Sequence, residues 1–200
     1  MPRAMAHLRF GTDNRYMRLF VAAELPEPVT SHLASALAPL MPEGTRALTP
    51  VENWHLTLAF YGEVPEGSAG ELAGAVARST GILSAPVVHL SGSGWFRHTT
   101  AWIGVGGQVE KLTAVMTTLE DLGPREPPAT SHRPHLTIAR TGRRTRGRVP
   151  ALDQVITALS VYRGPEWTIE EVVLMCSELG QGRGGRPKYT PIARAALEKL

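Results

Sequence analysis

The chain has 200 residues, of which 42% are hydrophobic, so it can bury the core of one domain or of one domain with two small lobes. Its single cysteine excludes an intramolecular disulfide, and its longest apolar runs are far too short to cross a membrane. The net charge of +3 and the pI near 9.3 are mild evidence for a polyanionic partner.

The N-terminal segment has a few positive charges but lacks the apolar region of a signal peptide. We therefore expect residues 1–16 to be a disordered extension, residues 17–200 to form a single bilobal domain, and the protein to be cytoplasmic. Cys176 lies in the apolar run 172–176, which indicates a small core residue and not a nucleophile.

Hydrophobic periodicity predicts two series of elements in the same order. The first series is a strand at 18–25, a helix at 27–41, a strand at 54–62, a helix at 67–79 and a strand at 87–90. The second is a strand at 101–105, a helix at 109–122, a strand at 135–142, a helix at 151–159 and a strand at 171–176. Equivalent landmarks are separated by 82, 80 and 84 positions: Phe20 and Trp102, His55 and His135, Val87 and Glu171. This nearly constant offset indicates duplication of a β-α-β-α-β unit.

Short turns at 97–99 and at 180–185, the second followed by a last strand at 189–196, favour antiparallel pairing. We therefore predict an α+β fold of two pseudo-symmetric lobes, with two largely antiparallel sheets facing a central cleft and the helices outside. The glycine-rich segment 180–185 precedes a strand and not a helix, so we interpret it as a mobile hairpin loop and not as a phosphate-binding loop.

Two of the predicted strands carry the same motif, namely His55-Leu56-Thr57-Leu58-Ala59 and His135-Leu136-Thr137-Ile138-Ala139. Side chains alternate along a strand, so the histidine and the threonine share one face while the aliphatic residues point to the core. The imidazole and the hydroxyl are then about 6.6 Å apart along each strand. Two such strands facing one cleft could hold a phosphate between them. A third His-x-Thr match, at His98, lacks the leucine and the alanine and is interpreted as part of a turn.

The repeated His-Leu-Thr-[Leu/Ile] motif resembles that of the 2H phosphoesterase superfamily and, within it, the RNA 2′,3′-cyclic phosphodiesterase family, whose members are also called 2′-5′ RNA ligases. Residues 17–22 resemble the start of that family, and residues 177–179 and 189–191 resemble its end, so the likeness extends over nearly the whole chain from Met17. The resemblance implies two lobes around a cleft and opening of a cyclic phosphate to a 2′-phosphate. It also favours His55 as the acid and His135 as the base, an assignment that the sequence alone leaves open.

Hydrolysis of a 2′,3′-cyclic phosphodiester needs a base that takes a proton from water and an acid that protonates the departing ribose oxygen. Histidine suits both roles because its ordinary pKa, about 6.5, lies near working pH. Threonine hydroxyls can donate hydrogen bonds to the phosphoryl oxygens. The predicted catalytic residues are therefore His55, His135, Thr57 and Thr137, and the scheme requires neither a metal nor another cofactor.

Two further residues are predicted to bind substrate because they match family positions. Arg140 follows the second motif, where an arginine could hold a phosphate, but alternation puts it on the face opposite His135 unless the strand ends or bulges there. Tyr189 matches the family's tyrosine before Thr-Pro, and an exposed strand tyrosine remains the alternative. The segment 140–148 contains five arginines and is either a solvated loop or a sequence-independent RNA contact.

We thus predict a monomeric enzyme that hydrolyses RNA 2′,3′-cyclic phosphate ends without a metal and has RNA as its partner. The alternatives are 2′-5′ RNA joining at the same site, a non-catalytic RNA-binding module, and a metalloprotein in which His132 and His135 bind an ion. A binding module gives no reason for two complete motifs. No cysteine or carboxylate cluster accompanies the His132–His135 pair, which disfavours a metal site.

Overall fold

The computed structural model describes residues 15–40, 48–123, 133–141 and 150–199. Within these ranges the chain forms eight β-strands and four α-helices. In chain order they are β1 (Tyr16–Glu24), α1 (Glu27–Leu37), β2 (His55–Pro65), α2 (Ala69–Thr80), β3 (Val87–Phe96), β4 (Thr100–Gly107), α3 (Val109–Glu120), β5 (His135–Arg140), α4 (Pro150–Ala158), β6 (Arg163–Thr168), β7 (Glu171–Glu178) and β8 (Lys188–Ala196). The predicted α+β class is confirmed.

The strands form one sheet in the order β6-β3-β4-β5-β2-β1-β7-β8, and every pair of neighbours is antiparallel. The antiparallel pairing is as predicted, but the two expected sheets are two four-stranded halves of a single sheet. They join where β2 meets β5, at the pair Leu56 and Leu136. Pairing at this point satisfies part of the edge that each motif strand would otherwise leave unpaired, and Leu48 and Thr49 meet the edge of β5 further along, at Ala139 and Ile138.

The sheet order reflects the predicted duplication. β2 and β5 lie at the centre, β1 and β4 flank them, and β7 and β3 follow, so equivalent strands of the two units occupy equivalent places on either side of the midline. The last strand of each unit pairs with the first strand of the other unit, since β3 lies beside β4 and β7 lies beside β1. This exchange interlocks the two units and places both motif strands next to each other.

β6 is a strand that the sequence did not predict. Its residues include Gly164 and Pro165, both of which are unfavourable inside a sheet. Among the described strands β6 pairs with β3 alone and lies at the end of the sheet order, so the missing N–H of the proline interrupts no central ladder. The predicted turn at 97–99 is present, and Arg97 and His98 both have positive φ (47° and 55°), as expected of a tight hairpin. The third His-x-Thr match therefore lies in a turn.

The main core lies between one face of the sheet and the helices. Helices α1 and α3 each bury one face there, through Val29, Leu33, Leu112 and Leu119. Helix α1 ends at Leu37 and continues as a 3-10 turn to residue 40, slightly before the predicted end. Cys176 is buried and free, as predicted. No helix in the described ranges is long and apolar enough to span a membrane.

The opposite face of the sheet carries a smaller apolar cluster, formed by Phe20, Ala22, Val173 and Met175 with Tyr189 packed against it. Alternation along β1 sends Phe20 and Ala22 to this face while Leu19 and Val21 enter the main core. The polar side chains of the two motifs emerge on this second face.

Candidate active site

The two motif strands have the same burial pattern over six residues. From the histidine onward, β2 and β5 are each half-buried, buried, half-buried, buried, buried and exposed. Leu56 and Leu136 are fully buried, whereas the histidines and threonines are half-buried on the second face of the sheet. The predicted division of each motif between core and cleft is therefore present in the structure.

Antiparallel pairing at Leu56 and Leu136 determines how the motif residues meet. Because the strands run in opposite directions, His55 is opposite Thr137 across the pair, and Thr57 is opposite His135. A cavity of about 30 Å³, which we call the phosphate cavity, is lined by His55, Thr57 and Thr137 together with Thr49, Asn53, Arg140 and Tyr189. Five of the six predicted site residues thus line one cavity, and His135 lies outside its immediate lining.

Both imidazoles are anchored in the same way. Nδ1 of His55 is 2.8 Å from the backbone oxygen of Asn53, and Nδ1 of His135 is 2.9 Å from that of Arg133. A carbonyl oxygen only accepts hydrogen bonds, so Nδ1 carries the proton in each ring and donates it. Nε2 of each ring is then left to exchange a proton with a bound molecule. Asn53 is a site residue that the motif did not reveal, because its contribution comes from the backbone.

The surroundings lower the pKa of both histidines from the ordinary value of 6.5. Burial is the largest cause in each case, and the positive charge of Arg140 lowers both values further. His135 also lowers the pKa of His55 by its own charge. The backbone acceptors oppose the shift in both rings, and the carboxylate of Glu24 opposes it at His55. Neutral imidazole is therefore the favoured form of each ring before an anion binds.

Aromatic side chains enclose both histidines. The ring of His55 lies 5.1 Å from that of Phe20 and 5.1 Å from that of Tyr189, the second in an edge-to-face arrangement. The ring of His135 makes an edge-to-face contact with Phe96 at 4.8 Å. These contacts contribute to the burial of both rings, and burial lowers the histidine pKa values. Phe20 and Phe96 were not predicted as site residues, because a strand phenylalanine normally belongs to the core.

Arg140 reaches the same face as His135 because β5 bulges. Thr137 pairs with Trp102 and Ala139 pairs with Ala101, so Ile138 is an extra residue in the ladder. Ile138 and Ala139 are consequently both buried, and Arg140 turns to the cleft, where it lines the phosphate cavity. Simple alternation predicted the opposite face, and the bulge that was named as the exception is present.

Tyr189 packs edge-to-face against His55 and also lines the phosphate cavity. Burial raises the pKa of its phenol, and the charges of Arg140 and Arg18 offset part of that effect. The hydroxyl therefore stays protonated over the working pH range and is available as a hydrogen-bond donor.

Several predicted features fall outside the described residues. They are residues 1–14 of the predicted extension 1–16, His132, and the arginines at 143, 144, 146 and 148. Tyr16, which also lies within the predicted extension, is the first residue of β1. In the part of the chain that is described, no group of three histidine, cysteine or carboxylate side chains is arranged to hold a metal ion. The RNA contact suggested for the arginine-rich segment stays a prediction.

The fold and the site together define a class of protein. It is a duplicated α+β fold with one sheet, and each half of the sheet supplies one histidine and one threonine to a shared face. Residues 17–181 match the 2′-5′ RNA ligase superfamily, and the chain belongs to that superfamily. The resemblance noted in the sequence is thereby confirmed.

Relatives of known name match nearly the full length. The chain is 27% identical over 187 residues to an Escherichia coli protein named RNA 2′,3′-cyclic phosphodiesterase, with 90% of this chain and 96% of the relative covered. It is 30% identical over 193 residues to a protein of the same name from Thermus thermophilus, with 90% of each covered. The crystal structure of E. coli LigT complexed with phosphate matches with a TM-score of 0.67 and 25% identity over 91% of this chain and 98% of that chain.

Proposed function

We propose that the protein is an RNA 2′,3′-cyclic phosphodiesterase that opens the cyclic phosphate to a 2′-phosphate by two-histidine acid–base catalysis, without a metal ion. The observation that carries the proposal is the matched anchoring of His55 and His135 through Nδ1 to the backbone, which leaves two Nε2 atoms for proton transfer. The names of the E. coli and Thermus relatives support the substrate class.

The reaction needs one neutral and one protonated histidine. In the proposed step, Nε2 of neutral His135 takes a proton from water while the water oxygen forms a bond to phosphorus. The bond between phosphorus and O3′ breaks, and Nε2–H of protonated His55 gives its proton to O3′. The products are a 3′-hydroxyl and a 2′-phosphate, with the protonation states of the two rings exchanged. The site returns to its starting state when a proton moves from His135 to solvent and another reaches His55.

The charges around the two rings do not separate the roles of acid and base. Burial lowers the pKa of both histidines, and the carboxylate of Glu24, the smallest of the effects at His55, opposes the shift at that ring only. A bound phosphodiester anion stabilises a protonated ring, since an opposite charge nearby favours the charged form. The assignment of His55 as the acid and His135 as the base therefore follows the preference implied by the family resemblance.

The remaining residues of the cavity act on the phosphoryl oxygens. The hydroxyls of Thr57 and Thr137 and the guanidinium of Arg140 line the phosphate cavity and are donors to the charge that develops in the transition state. The Tyr189 hydroxyl is a further donor at the same cavity. Such fixed donors are effective in a half-buried site because the local dielectric is lower than that of water.

Joining of RNA ends through a 2′-5′ bond is the second candidate, and the name of the superfamily favours it. In that reaction a ribose hydroxyl takes the place of water as the nucleophile in the same step, so it requires no additional group. A non-catalytic RNA-binding module is disfavoured, because binding alone does not require two histidines anchored in the same tautomer.

The deciding experiment is incubation of an RNA that ends in a 2′,3′-cyclic phosphate, in the presence of EDTA, followed by identification of the product end. We expect a 2′-phosphate. A 3′-phosphate would contradict the leaving group, and an inert wild-type protein would contradict the function. Activity that is lost on chelation and restored by zinc or manganese would support the metalloprotein alternative instead.

A further inference from the structure

A groove of about 410 Å³ opens beside His135, in the half of the sheet that contains β3, β4 and β5. The residues that line it include Ser91, Trp102, Gly104, Val105, Arg133 and Pro134. We call it the Trp102 groove. None of these residues lines the phosphate cavity, and the function proposed above uses none of their side chains.

The floor of the groove is an indole ring that lies against the sheet. A Cβ atom at Gly94 would overlap the six-membered ring of Trp102, and one at Gly104 would lie 3.4 Å from the same ring. The two glycines therefore leave the space that the ring needs. In the register of β4 and β5, Trp102 is opposite Thr137 and Gly104 is opposite His135. An aromatic surface thus begins directly beside the second motif.

Ring contacts connect this surface to the active site. The ring of Phe96 lies 5.3 Å from that of Trp102 and makes the edge-to-face contact with His135. The guanidinium of Arg133 lies over the indole, 5.6 Å from the centre of the ring. Arg133 is exposed, and among the described residues no carboxylate lines the groove. The groove and its border therefore combine two aromatic rings with a positive charge, next to the phosphate cavity.

At the equivalent place in the first half of the sheet the surface is covered. In the register of β1 and β2, the residue opposite Thr57 is Ala22, which is fully buried. It belongs to the small apolar cluster against which Tyr189 packs. Trp102 thus gives the His135 side of the active site an open aromatic surface where the His55 side has a closed one.

The chemistry of the groove is that of a site for an unpaired RNA base. Such bases stack on aromatic side chains and on arginine, without a requirement for a particular sequence. The volume lies within the range of roughly 300–1,000 Å³ that is found for ligand pockets, so it suits one base with its ribose.

The position of the groove indicates which nucleotide it would hold. His135 is the proposed base, so the molecule that carries the attacking hydroxyl approaches phosphorus from the side of His135. In hydrolysis this molecule is water, which needs no groove. In the formation of a 2′-5′ bond it is an acceptor RNA, whose 5′-hydroxyl attacks.

We propose that the Trp102 groove binds the first base of an acceptor RNA, stacked against Trp102 and Arg133. This inference rests on the proposed function, because it names a second substrate of the same site. In the joining step the 5′-oxygen of the acceptor forms a bond to phosphorus and gives its proton to Nε2 of His135. The bond between phosphorus and O3′ breaks, and O3′ takes the proton of His55. The product is a 2′-5′ phosphodiester with a free 3′-hydroxyl.

The ratio of joined to hydrolysed product gives the sharpest test, because both routes use the same two histidines and the ratio does not depend on the amount of folded enzyme. The donor would be adenosine 2′,3′-cyclic phosphate, which has no upstream nucleotides. The acceptors would be two short RNAs with a 5′-hydroxyl, identical except that one lacks its first base. Both would be used at the same concentration, below saturation.

The ratio would be measured for the wild type, Trp102→Leu, Trp102→Phe, Arg133→Ala and Arg78→Ala. Arg78 is an exposed arginine of α2, on the helix side of the sheet, so its substitution controls for the loss of one positive charge. We expect the wild type to join the complete acceptor about tenfold better, relative to hydrolysis, than the acceptor that lacks its first base. A factor of this size corresponds to one stacked base.

Trp102→Leu should lower the ratio about tenfold for the complete acceptor and should no longer distinguish the two acceptors. Trp102→Phe keeps an aromatic ring and should retain most of the preference, and Arg133→Ala should lower the ratio about threefold. Arg78→Ala should behave as the wild type does.

A wild type that gives the same ratio with both acceptors would overturn the inference without any substitution. So would a wild-type ratio in Trp102→Leu, or a wild type that forms the 2′-phosphate but no joined product. The last result would leave the proposed function intact. A wild type that forms neither product would contradict the proposed function itself, and the inference with it. Thermal melts would establish that each variant is folded, and Arg133→Ala tests the groove independently of any change in the packing of Trp102.

Discussion

Phe60 and Arg140 occupy the same position in the two halves of the sheet. Each lies five residues after its histidine, and each is turned to the cleft by an extra residue in its strand, Leu58 in β2 and Ile138 in β5. Phe60 is 52% exposed, and the guanidinium of Arg18 lies over its ring at 4.7 Å. At these equivalent positions the duplicated scaffold therefore has an aromatic ring, with an arginine over it, in one half and an arginine itself in the other. This difference makes the site asymmetric, although its histidines and threonines are paired.

The charge of Arg140 should affect the pH dependence of the reaction as well as phosphate binding. It lowers the pKa of both histidines, after burial, which is the larger cause. Arg140→Gln removes that charge, so the protonated rings become more stable and both pKa values rise. The alkaline limb of kcat/KM should then move to higher pH, while the maximal rate falls about 10²-fold through loss of a donor to the phosphate. Arg18→Gln removes an equal charge from the Phe60 side and should leave the limb in place. An unmoved limb in Arg140→Gln would contradict the electrostatic coupling.

A pair of substitutions distinguishes the role of the threonine hydroxyls from that of the side-chain shape. Thr57→Val and Thr137→Val keep the branched shape that suits a strand but remove the donor. We expect each to lower kcat about 10²-fold, as loss of one oxyanion donor does. Thr57→Ser and Thr137→Ser keep the donor and should retain most of the activity. If the serine and valine variants were equally impaired, the hydroxyl would not be the reason for threonine at these positions.

Local periodicity predicted most of this site, and non-local pairing determined the rest. Alternation in two short segments predicted the faces of His55, Thr57, His135 and Thr137, because a two-residue period depends only on the strand itself. The face of Arg140 depends on the extra residue Ile138, which exists only relative to the register of β4. Contacts between distant segments, such as Asn53 with Pro187, leave no periodic signal in the sequence.

The same distinction explains the differences in the fold. The two predicted sheets are one because β2 pairs with β5, 80 positions away, and no local pattern encodes a pairing of that range. β6 contains Pro165 and is stabilised by its place at the sheet edge, which is likewise a property of the assembled sheet. The order of the duplicated units was predicted correctly, since each unit has its own periodic elements.

Tyr189 combines a packing role with a donor, and two substitutions distinguish them. Tyr189→Phe keeps the ring contacts with His55 and Phe20, at 5.1 and 5.2 Å, and removes the hydroxyl. If the hydroxyl binds substrate, KM should rise about tenfold with kcat nearly unchanged, which corresponds to one hydrogen bond to a charged group. Tyr189→Ala also removes the ring that buries His55, so its kcat should fall as well. A phenylalanine variant with wild-type KM would reduce Tyr189 to a packing residue.

The two histidines give the last prediction. His55→Ala and His135→Ala should each lower kcat/KM by about 10²–10⁴-fold, the contribution of a general acid or base, while the thermal midpoint stays close to that of the wild type because both rings are half-buried at the cleft. His98 is the matched control, because it belongs to the third His-x-Thr match but lies in the turn between β3 and β4. Asparagine tolerates its positive φ of 55°, so His98→Asn should keep full activity.

The pH profile of the residual activity then identifies the acid and the base. The wild type should show a bell-shaped profile whose limbs belong to the coupled pair and not to single residues. Loss of the base removes the limb on the acidic side, because no group remains that must be deprotonated. Loss of the acid removes the limb on the alkaline side. We therefore expect His135→Ala to lose the acidic limb and His55→Ala the alkaline limb. The opposite result would exchange the two roles and place the departing ribose oxygen beside His135.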